Sequence, residues 1–161
     1  MRFYNQQHRF YGGVDLHART LSLHILDATG KSVLAKTIPA SPDAFLQAIA
    51  PFRDGLAVAC ECMFAWYWLA DLCTEQAIPF VLGHALYMKA IHGGKAKTDK
   101  IDAKKIAVLL RGGMLPQAYV YPKGMRETRD LLRRRTYLVR RRAPNLPRSR
   151  PALPRATRRR L

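Results

Sequence analysis

The sequence lacks the features of secreted, disulfide-stabilised and membrane-spanning proteins. Its three cysteines, Cys60, Cys62 and Cys73, are too few and too clustered for a disulfide framework, so we expect them to be reduced. No uncharged apolar run reaches the roughly 20 residues that a membrane helix needs. The opening residues also have no apolar core of the kind found in signal peptides. We therefore expect a cytoplasmic protein with no membrane partner.

Acidic residues are scarce as well, since 11 Asp and Glu stand against 28 Lys and Arg, a formal net charge of +17. The excess is uneven: residues 1–88 hold six basic and seven acidic residues, whereas residues 123–161 hold fifteen and two. Such a balance indicates a polyanionic partner, either nucleic acid or an anionic membrane surface. Nucleic acid is favoured, because the basic end lacks the apolar face of an interfacial helix.

The last 18 residues, 144–161, contain four prolines but no glycine, acidic residue or aromatic residue. Closely spaced prolines exclude both a helix and a central strand, so we expect a disordered Pro/Arg-rich tail. It begins abruptly after an Arg-rich helical pattern. Both a natural basic tail and a loss of the reading frame near residue 143 are compatible with that change.

The remaining pattern predicts an α/β domain. Strands are expected at 9–17, 20–27, 32–38, 56–62 and 78–82, and helices from Ser41 to about Phe52, at 64–76, at 99–111 and at about 124–142. A loop rich in Gly and Lys is expected at 92–97. The order β-β-β-α-β-α-β-α is that of the ribonuclease-H-like fold, a mixed five-stranded sheet with flanking helices. A long basic helix and the tail then follow.

Four carboxylates stand out in this arrangement. Asp15 lies within a strand, where a buried charge is costly unless it is paired or binds a metal. Glu61 ends an apolar strand, and ligands gather at strand carboxyl ends in open α/β sheets. Asp99 and Asp102 are spaced i, i+3 on a helix, where like charges repel. Taken singly, each has an ordinary alternative: an edge acid at Asp15, a helix cap at Glu61, or pairing with nearby lysines for the other two.

Taken together, the four acids are more informative, because the proposed fold brings their elements to one edge of the sheet. Four carboxylates there would hold two divalent cations roughly 3.5–4 Å apart, which is the arrangement used for phosphodiester chemistry. Mg²⁺ or Mn²⁺ suits oxygen ligands of this kind. His17 could reach such a site, although a polar residue at the end of a strand explains it equally simply.

The motifs carry a family resemblance. The sequence GVDLH at 13–17, Glu61 ahead of WYWL at 66–69, and KTDKIDA at 97–103 followed by an apolar helical stretch resemble the DEDD transposases of the IS110 insertion-sequence group, relatives of the pilin-gene invertases. The resemblance implies a RuvC-like catalytic domain at 8–115, a basic coiled-coil-like segment at 116–143 and a tail at 144–161. It assigns Asp15, Glu61, Asp99 and Asp102 as catalytic metal ligands.

The resemblance further implies a bacterial enzyme that moves DNA, guided by a structured RNA, as a homodimer or homotetramer. Nucleic-acid contacts are expected at Lys95, Lys97, Lys100, Lys104 and Lys105, and at Arg133, Arg134, Arg135, Arg140, Arg141 and Arg142. The family pattern continues into a second domain with a serine nucleophile, whereas the last serine here is Ser149 in the tail. We therefore expect a truncated or frameshifted copy. Two alternatives stay open: a basic nucleic-acid-binding fragment without catalysis, and a small-molecule kinase suggested by GGVDLHART.

Overall fold

The computed structural model of the chain describes residues 2–62, 65–91 and 99–142, with only the backbone described at Asp99 and Lys100. The predicted contacts of Lys95 and Lys97 and the tail at 144–161 lie outside these ranges. The chain divides into two compact units, and the boundary along the sequence falls between Val120 and Tyr121. We call the first the sheet unit; the described part of the second contains one long helix.

The secondary structure is as follows. The strands are β1 (Phe3–Tyr4), β2 (Phe10–Leu16), β3 (Thr20–Asp27), β4 (Ser32–Pro39), β5 (Leu56–Glu61), β6 (Phe80–Gly83) and β7 (Leu115–Pro116). The helices are α1 (Pro42–Ile49), α2 (Trp66–Glu75), α3 (Ala85–Ile91), α4 (Asp99–Arg111) and α5 (Lys123–Arg142), and a single 3₁₀ turn (Ala50–Phe52) follows α1. None of the helices within these ranges is both long and apolar enough to cross a bilayer.

Five strands form one mixed sheet in the order β4-β3-β2-β5-β6. The first three strands of this sheet in sequence, β2, β3 and β4, pair antiparallel, and β5 and β6 run parallel to β2. Parallel neighbours need a crossover, and α1 and α2 provide the two crossovers. The predicted ribonuclease-H-like architecture, a five-stranded mixed sheet with flanking helices, is confirmed.

One face of the sheet packs against α1 and α2. Side chains such as Val14 and Val58 meet Phe45 of α1 and Trp66 and Leu69 of α2 in a core that excludes solvent. Helix α1 starts where the sequence predicts, because the Ser41 hydroxyl accepts a 3.4 Å hydrogen bond from the Ala44 N–H. Period-two alternation along the strands therefore decides which side chains this core receives.

The opposite face is covered by α4. Tyr11, Ala57 and Ala59 from the strands pack there with Ile106 and Leu110 of the helix. Gly13 lies under the helix, and a Cβ atom at that position would overlap the Ala103 carbonyl oxygen and the Ala107 nitrogen. The missing side chain thus lets the α4 backbone lie directly on β2.

Two contacts fix the direction of α4 along the sheet. Near its start, Ala103 lies against Gly13. At its end, the Arg111 guanidinium donates a 3.3 Å hydrogen bond to the carbonyl of Ala28, just beyond β3. The end of β3 is level with the start of β2, because Asp27 pairs with Phe10. Helix α4 therefore runs antiparallel to β2, and its first turns lie toward the carboxyl end of that strand.

Three features differ from the sequence-based expectation. Helix α3 (Ala85–Ile91) forms between the last predicted strand and the Gly/Lys-rich loop, where the sequence predicted neither a helix nor a strand. Helix α1 ends at Ile49 rather than near Phe52, since Pro51 cannot donate a helical hydrogen bond and the chain tightens into the 3₁₀ turn. Strands β1 and β7 form a separate two-stranded sheet in which Phe3 pairs with Pro116. These two-residue strands are too short for periodicity to reveal.

The second unit is described from Tyr121 to Arg142. Helix α5 has nine basic and two acidic residues and buries none of its side chains. It is stabilised locally: Arg126 donates to the Tyr121 carbonyl at 3.0 Å, and Arg141 donates to the Tyr137 hydroxyl at 2.9 Å. The predicted long basic helix is therefore present.

Candidate active site

Asp15 lies one residue before the end of β2, on the face of the sheet that α4 covers. Alternation places its side chain on the same side as that of Tyr11, and both flank Gly13 along this row. The Asp15 side chain is only 15% exposed, and its Oδ2 lies 3.3 Å from Nε2 of His17. The sequence-predicted buried strand carboxylate is thus present, and a partner from its own strand end contacts it.

Glu61 is the last residue of β5, the strand next to β2. The last registered pair between the two strands is Val14 with Cys60, so Asp15 and Glu61 occupy the next position on each strand. Ala57 and Ala59, which precede Glu61 on the same face, pack in the α4 core. The two acids therefore lie one position beyond the last registered pair, on one face of the sheet and at the carboxyl ends of neighbouring strands.

Asp102 lies on the first turns of α4, directly before the Ala103 that contacts β2. Its Oδ1 accepts a 3.1 Å hydrogen bond from Nζ of Lys105. Asp99 begins the helix, so its backbone is at the same end. Helix α4 thus carries its acids toward the edge where β2 and β5 end.

The three acids whose side chains are described share an edge without forming one cluster. Within the described residues, no three His, Cys, Asp or Glu side chains are gathered closely enough to hold a metal ion. Each strand or helix acid has its own neighbour, such as His17 for Asp15 and Lys105 for Asp102, as expected for carboxylates whose charges repel. Oxygen donors of this type fit a hard divalent cation. The chemistry of these carboxylates therefore fits a metal ion, but their side chains would have to rearrange before they could coordinate the same ion.

The cysteines occupy the other face, as alternation predicts. Cys60 is fully buried in the core formed with α2, and Cys62 packs against that same core. Burial is the largest cause that raises the pKa of the Cys60 thiol well above its usual value, and the neighbouring Cys73 and Cys62 raise this pKa further. The charges of Glu61 and Asp15 add smaller contributions, which agrees with both carboxylates lying near the end of β5. The thiols of Cys60 and Cys62 therefore lie on the core side of β5, away from the face that carries Glu61.

The basic residues expected to contact nucleic acid fall in two places. Lys104 is exposed on α4 and Lys105 is engaged with Asp102, whereas the Lys100 side chain is not described. The six arginines of α5 are all exposed: Arg133, Arg134, Arg135, Arg140, Arg141 and Arg142. Because these six guanidinium groups lie open to solvent, they can meet a phosphate backbone.

Sequence reasoning missed one buried polar residue on the α4 face. His24 pairs across the sheet with Gly13, and its side chain is 7% exposed. Among the described residues, none forms a hydrogen bond with its Nε2. Burial lowers the pKa of His24, and the nearby charge of Lys104 lowers it further. The alternation of β3 contained the signal, because His24 lies on the strand face opposite Leu23 and Ile25.

Residues 12–157 match the family model of the IS110-type DEDD transposases, described as transposase. The chain belongs to this transposase family. The match covers GVDLH, Glu61 and KTDKIDA, and it also extends over residues 143–157 of the Pro/Arg-rich segment. No curated protein matches this transposase sequence.

Solved structures of RuvC resemble this transposase chain in part. RuvC of T. thermophilus, in complex with a Holliday junction substrate, is 17% identical with a TM-score of 0.47, over 69% of this chain and 100% of that chain. A second Thermus thermophilus RuvC structure is 19% identical with a TM-score of 0.43, over 71% and 84%. The fold assignment itself comes from the strand order and pairing described above.

Proposed function

We propose that this chain carries the catalytic domain of a transposase that acts on DNA phosphodiesters with divalent metal ions bound at Asp15, Glu61, Asp99 and Asp102. One observation carries the proposal: β2, β5 and α4, three elements far apart in sequence, bring acids to one edge and one face of the sheet. The register of Val14 with Cys60 and the contact of Ala103 with Gly13 support that convergence. Packing of the apolar core does not explain these carboxylates, because burying a charge is costly unless it is paired or coordinates a metal.

In this proposal the strand acids and the helix acids have different parts. Asp15 and Glu61, adjacent on a rigid sheet, would hold the cations through carboxylate oxygens at the strand ends. Asp102, on a helix, would join them as a ligand in place of its hydrogen bond with Lys105. Mg²⁺ or Mn²⁺ held there would activate a water or hydroxyl and stabilise the leaving oxygen of the phosphodiester.

The basic side chains are proposed to bind the nucleic acid. Lys95, Lys97, Lys100, Lys104 and Lys105 belong to α4 or the sequence just before it, so they would contact DNA phosphates beside the acids. The exposed arginines of α5 would bind a phosphate backbone, which supplies affinity rather than sequence discrimination. A structured guide RNA and assembly into dimers or tetramers are extensions of this proposal to the family's whole protein.

A second candidate is a nucleic-acid-binding fragment without catalysis. Two observations favour it: the Oδ1 of Asp102 is bonded to Lys105, and the described acids do not gather around one point. In that case the arginines of α5 would bind nucleic acid in EDTA as well as in Mg²⁺.

The experiment that separates them measures nicking and strand transfer of supercoiled DNA in Mg²⁺ and Mn²⁺. Asp15→Asn is expected to lower the rate about 100-fold or more without changing thermal unfolding in the absence of metal. Asp54→Asn is the matched control, because Asp54 is 96% exposed beside Arg9 at the other end of the strands. Equal rates for Asp15→Asn and wild type would overturn the metal role. Binding that survives EDTA without any cleavage by wild type would favour the fragment.

A further inference from the structure

His17 is the residue of this edge to which neither the family match nor the acid pattern gives a role. It follows β2 directly, and its backbone N–H donates a 2.9 Å hydrogen bond to the Thr20 carbonyl, which closes the turn into β3. That bond continues the strand geometry for one more residue. His17 therefore extends the row of Gly13 and Asp15 on the α4 side of the sheet.

The imidazole lies against the carboxylate rather than pointing away from it. Nε2 of His17 is 3.3 Å from Oδ2 of Asp15, and the His17 side chain is 52% exposed while that of Asp15 is 15% exposed. The ring thus contacts an acid that is mostly buried, while about half of the His17 side chain remains exposed. A cation bound to Oδ2 of Asp15 would therefore lie close to this nitrogen.

The separation of the two atoms matches shared coordination. Neighbouring ligands of an octahedral ion, each about 2.1 Å from it, lie roughly 3 Å apart. A nitrogen and an oxygen 3.3 Å apart at one strand end need little movement to become such a pair.

We propose that His17 is a nitrogen ligand of the metal bound at Asp15 and that it makes the site prefer Mn²⁺ to Mg²⁺. The inference rests on the proposed function, because it needs a cation at Asp15. Both ions take oxygen ligands, but Mn²⁺, a first-row transition ion, accepts an imidazole nitrogen more readily than Mg²⁺, which demands oxygen ligands and keeps several waters. An all-carboxylate site has no such reason to discriminate.

The test compares metal binding by wild type, His17→Gln and His8→Gln at pH 8. Binding is measured as the rise in unfolding temperature with increasing Mg²⁺ or Mn²⁺. Glutamine keeps a polar side chain but offers an oxygen in place of the nitrogen. His8 is the control imidazole, since it lies before the amino-terminal end of β2 and bonds the Tyr4 hydroxyl. Wild type and His8→Gln should bind Mn²⁺ about tenfold more tightly than Mg²⁺, and His17→Gln should lose that preference while keeping its Mg²⁺ affinity within about twofold.

Pulsed electron paramagnetic resonance of the Mn²⁺ complex gives an independent readout. Wild type should show coupling to an imidazole nitrogen, and His17→Gln should not. An unchanged Mn²⁺ preference in His17→Gln overturns the inference and leaves the carboxylate site intact. Equal losses for both metals would make His17 a positioning residue for Asp15 and also overturn it. A wild type that responds to neither metal contradicts the proposed function itself.

Discussion

The two units of this chain use their side chains in opposite ways. The sheet unit, residues 1–120, has 13 basic and nine acidic residues and buries apolar side chains on both faces of its sheet. Residues 121–161 have 15 basic and two acidic residues, and the described helix of this unit buries none. The first unit is therefore stabilised by burial and the second is dominated by charge, so mutations in the two should affect different properties.

The difference extends to the proposed chemistry. The backbones of the strand acids are fixed by the sheet and the packed helix, so only side chains would have to move for these acids to share a metal. Exposed arginines on a helix can adapt to a phosphate backbone that carries charge along its whole length. The following substitutions test this division, starting with the largest expected effect.

Trp66→Ala should cost the most stability. Trp66 is 1% exposed and is among the largest buried side chains, and its removal leaves a cavity in the α2 core. We expect a fall of about 3–5 kcal/mol in the free energy of unfolding, measured with urea. The comparison variant on α5 is Leu132→Ala, since Leu132 is 57% exposed. It should change stability by less than about 0.5 kcal/mol, and similar decreases for both variants would contradict the division.

Gly13→Ala should separate α4 from β2. The new methyl group would meet backbone atoms of Ala103 and Ala107, which cannot rotate away, so we expect the free energy of unfolding to fall by about 1–3 kcal/mol. Gly12→Ala is the neighbouring control, because its methyl group would make only ordinary contacts, the nearest at 3.4 Å from Leu56. Urea unfolding of both variants checks this, and an equal effect at the two glycines would show that α4 does not rest on Gly13.

Replacing the Arg133–Arg135 cluster by glutamine should weaken nucleic-acid binding without changing the unfolding temperature. The slope of log K against log salt is negative, and each arginine that no longer neutralises a phosphate should reduce its magnitude by about 0.9 for duplex DNA. The charge-matched control replaces Arg9, Arg19 and Arg53 of the sheet unit. Fluorescence anisotropy with labelled DNA at several salt concentrations measures the slopes. Equal slopes for the two triple variants would argue against α5 as the binding surface.

His24 should make the sheet unit sensitive to mild acid. Its folded-state pKa is lowered by burial, so the unfolded chain binds the proton more readily. The stability that neutral His24 contributes is present above the unfolded value of about 6.5 and is lost as the pH falls toward the folded-state pKa. Urea unfolding between about pH 7.5 and 5 should show a shallower decline for His24→Gln than for wild type. An identical decline would assign the acid sensitivity to other groups.

Much of the fold could be predicted because its main elements are long and regular. The alternation of β3, the apolar run of β5 and the Ser41–Pro42 start of α1 each reflect burial or capping within a few residues. Helix α3 and the pairing of β1 with β7 could not be predicted in this way. Short elements that depend on contacts between distant segments leave too few residues for a period to appear.

The candidate site shows a similar limit. Strand order predicted that Asp15 and Glu61 would meet at one edge, and the pairing of β2 with β5 places them there. For Asp102 the sequence left two partners open, a nearby lysine or a metal ion, because an i, i+3 lysine and a more distant cation compete for the same oxygen. The structure shows the lysine, with Nζ of Lys105 donating to Oδ1 of Asp102. The sequence did not reveal that Gly13 allows the close approach of α4, since the glycine has no side chain to contribute to a pattern.

Thermal unfolding in Mg²⁺ and Mn²⁺ tests the central claim most directly, because a metal that binds only the folded state must stabilise it. The variants are Asp15→Asn, Glu61→Gln and the control Asp54→Asn. We expect the unfolding temperature of wild type and Asp54→Asn to rise with metal concentration, and that of the two site variants to stay constant. A wild type without a rise, or an Asp15→Asn variant that rises equally, would contradict a metal site at this edge of the sheet.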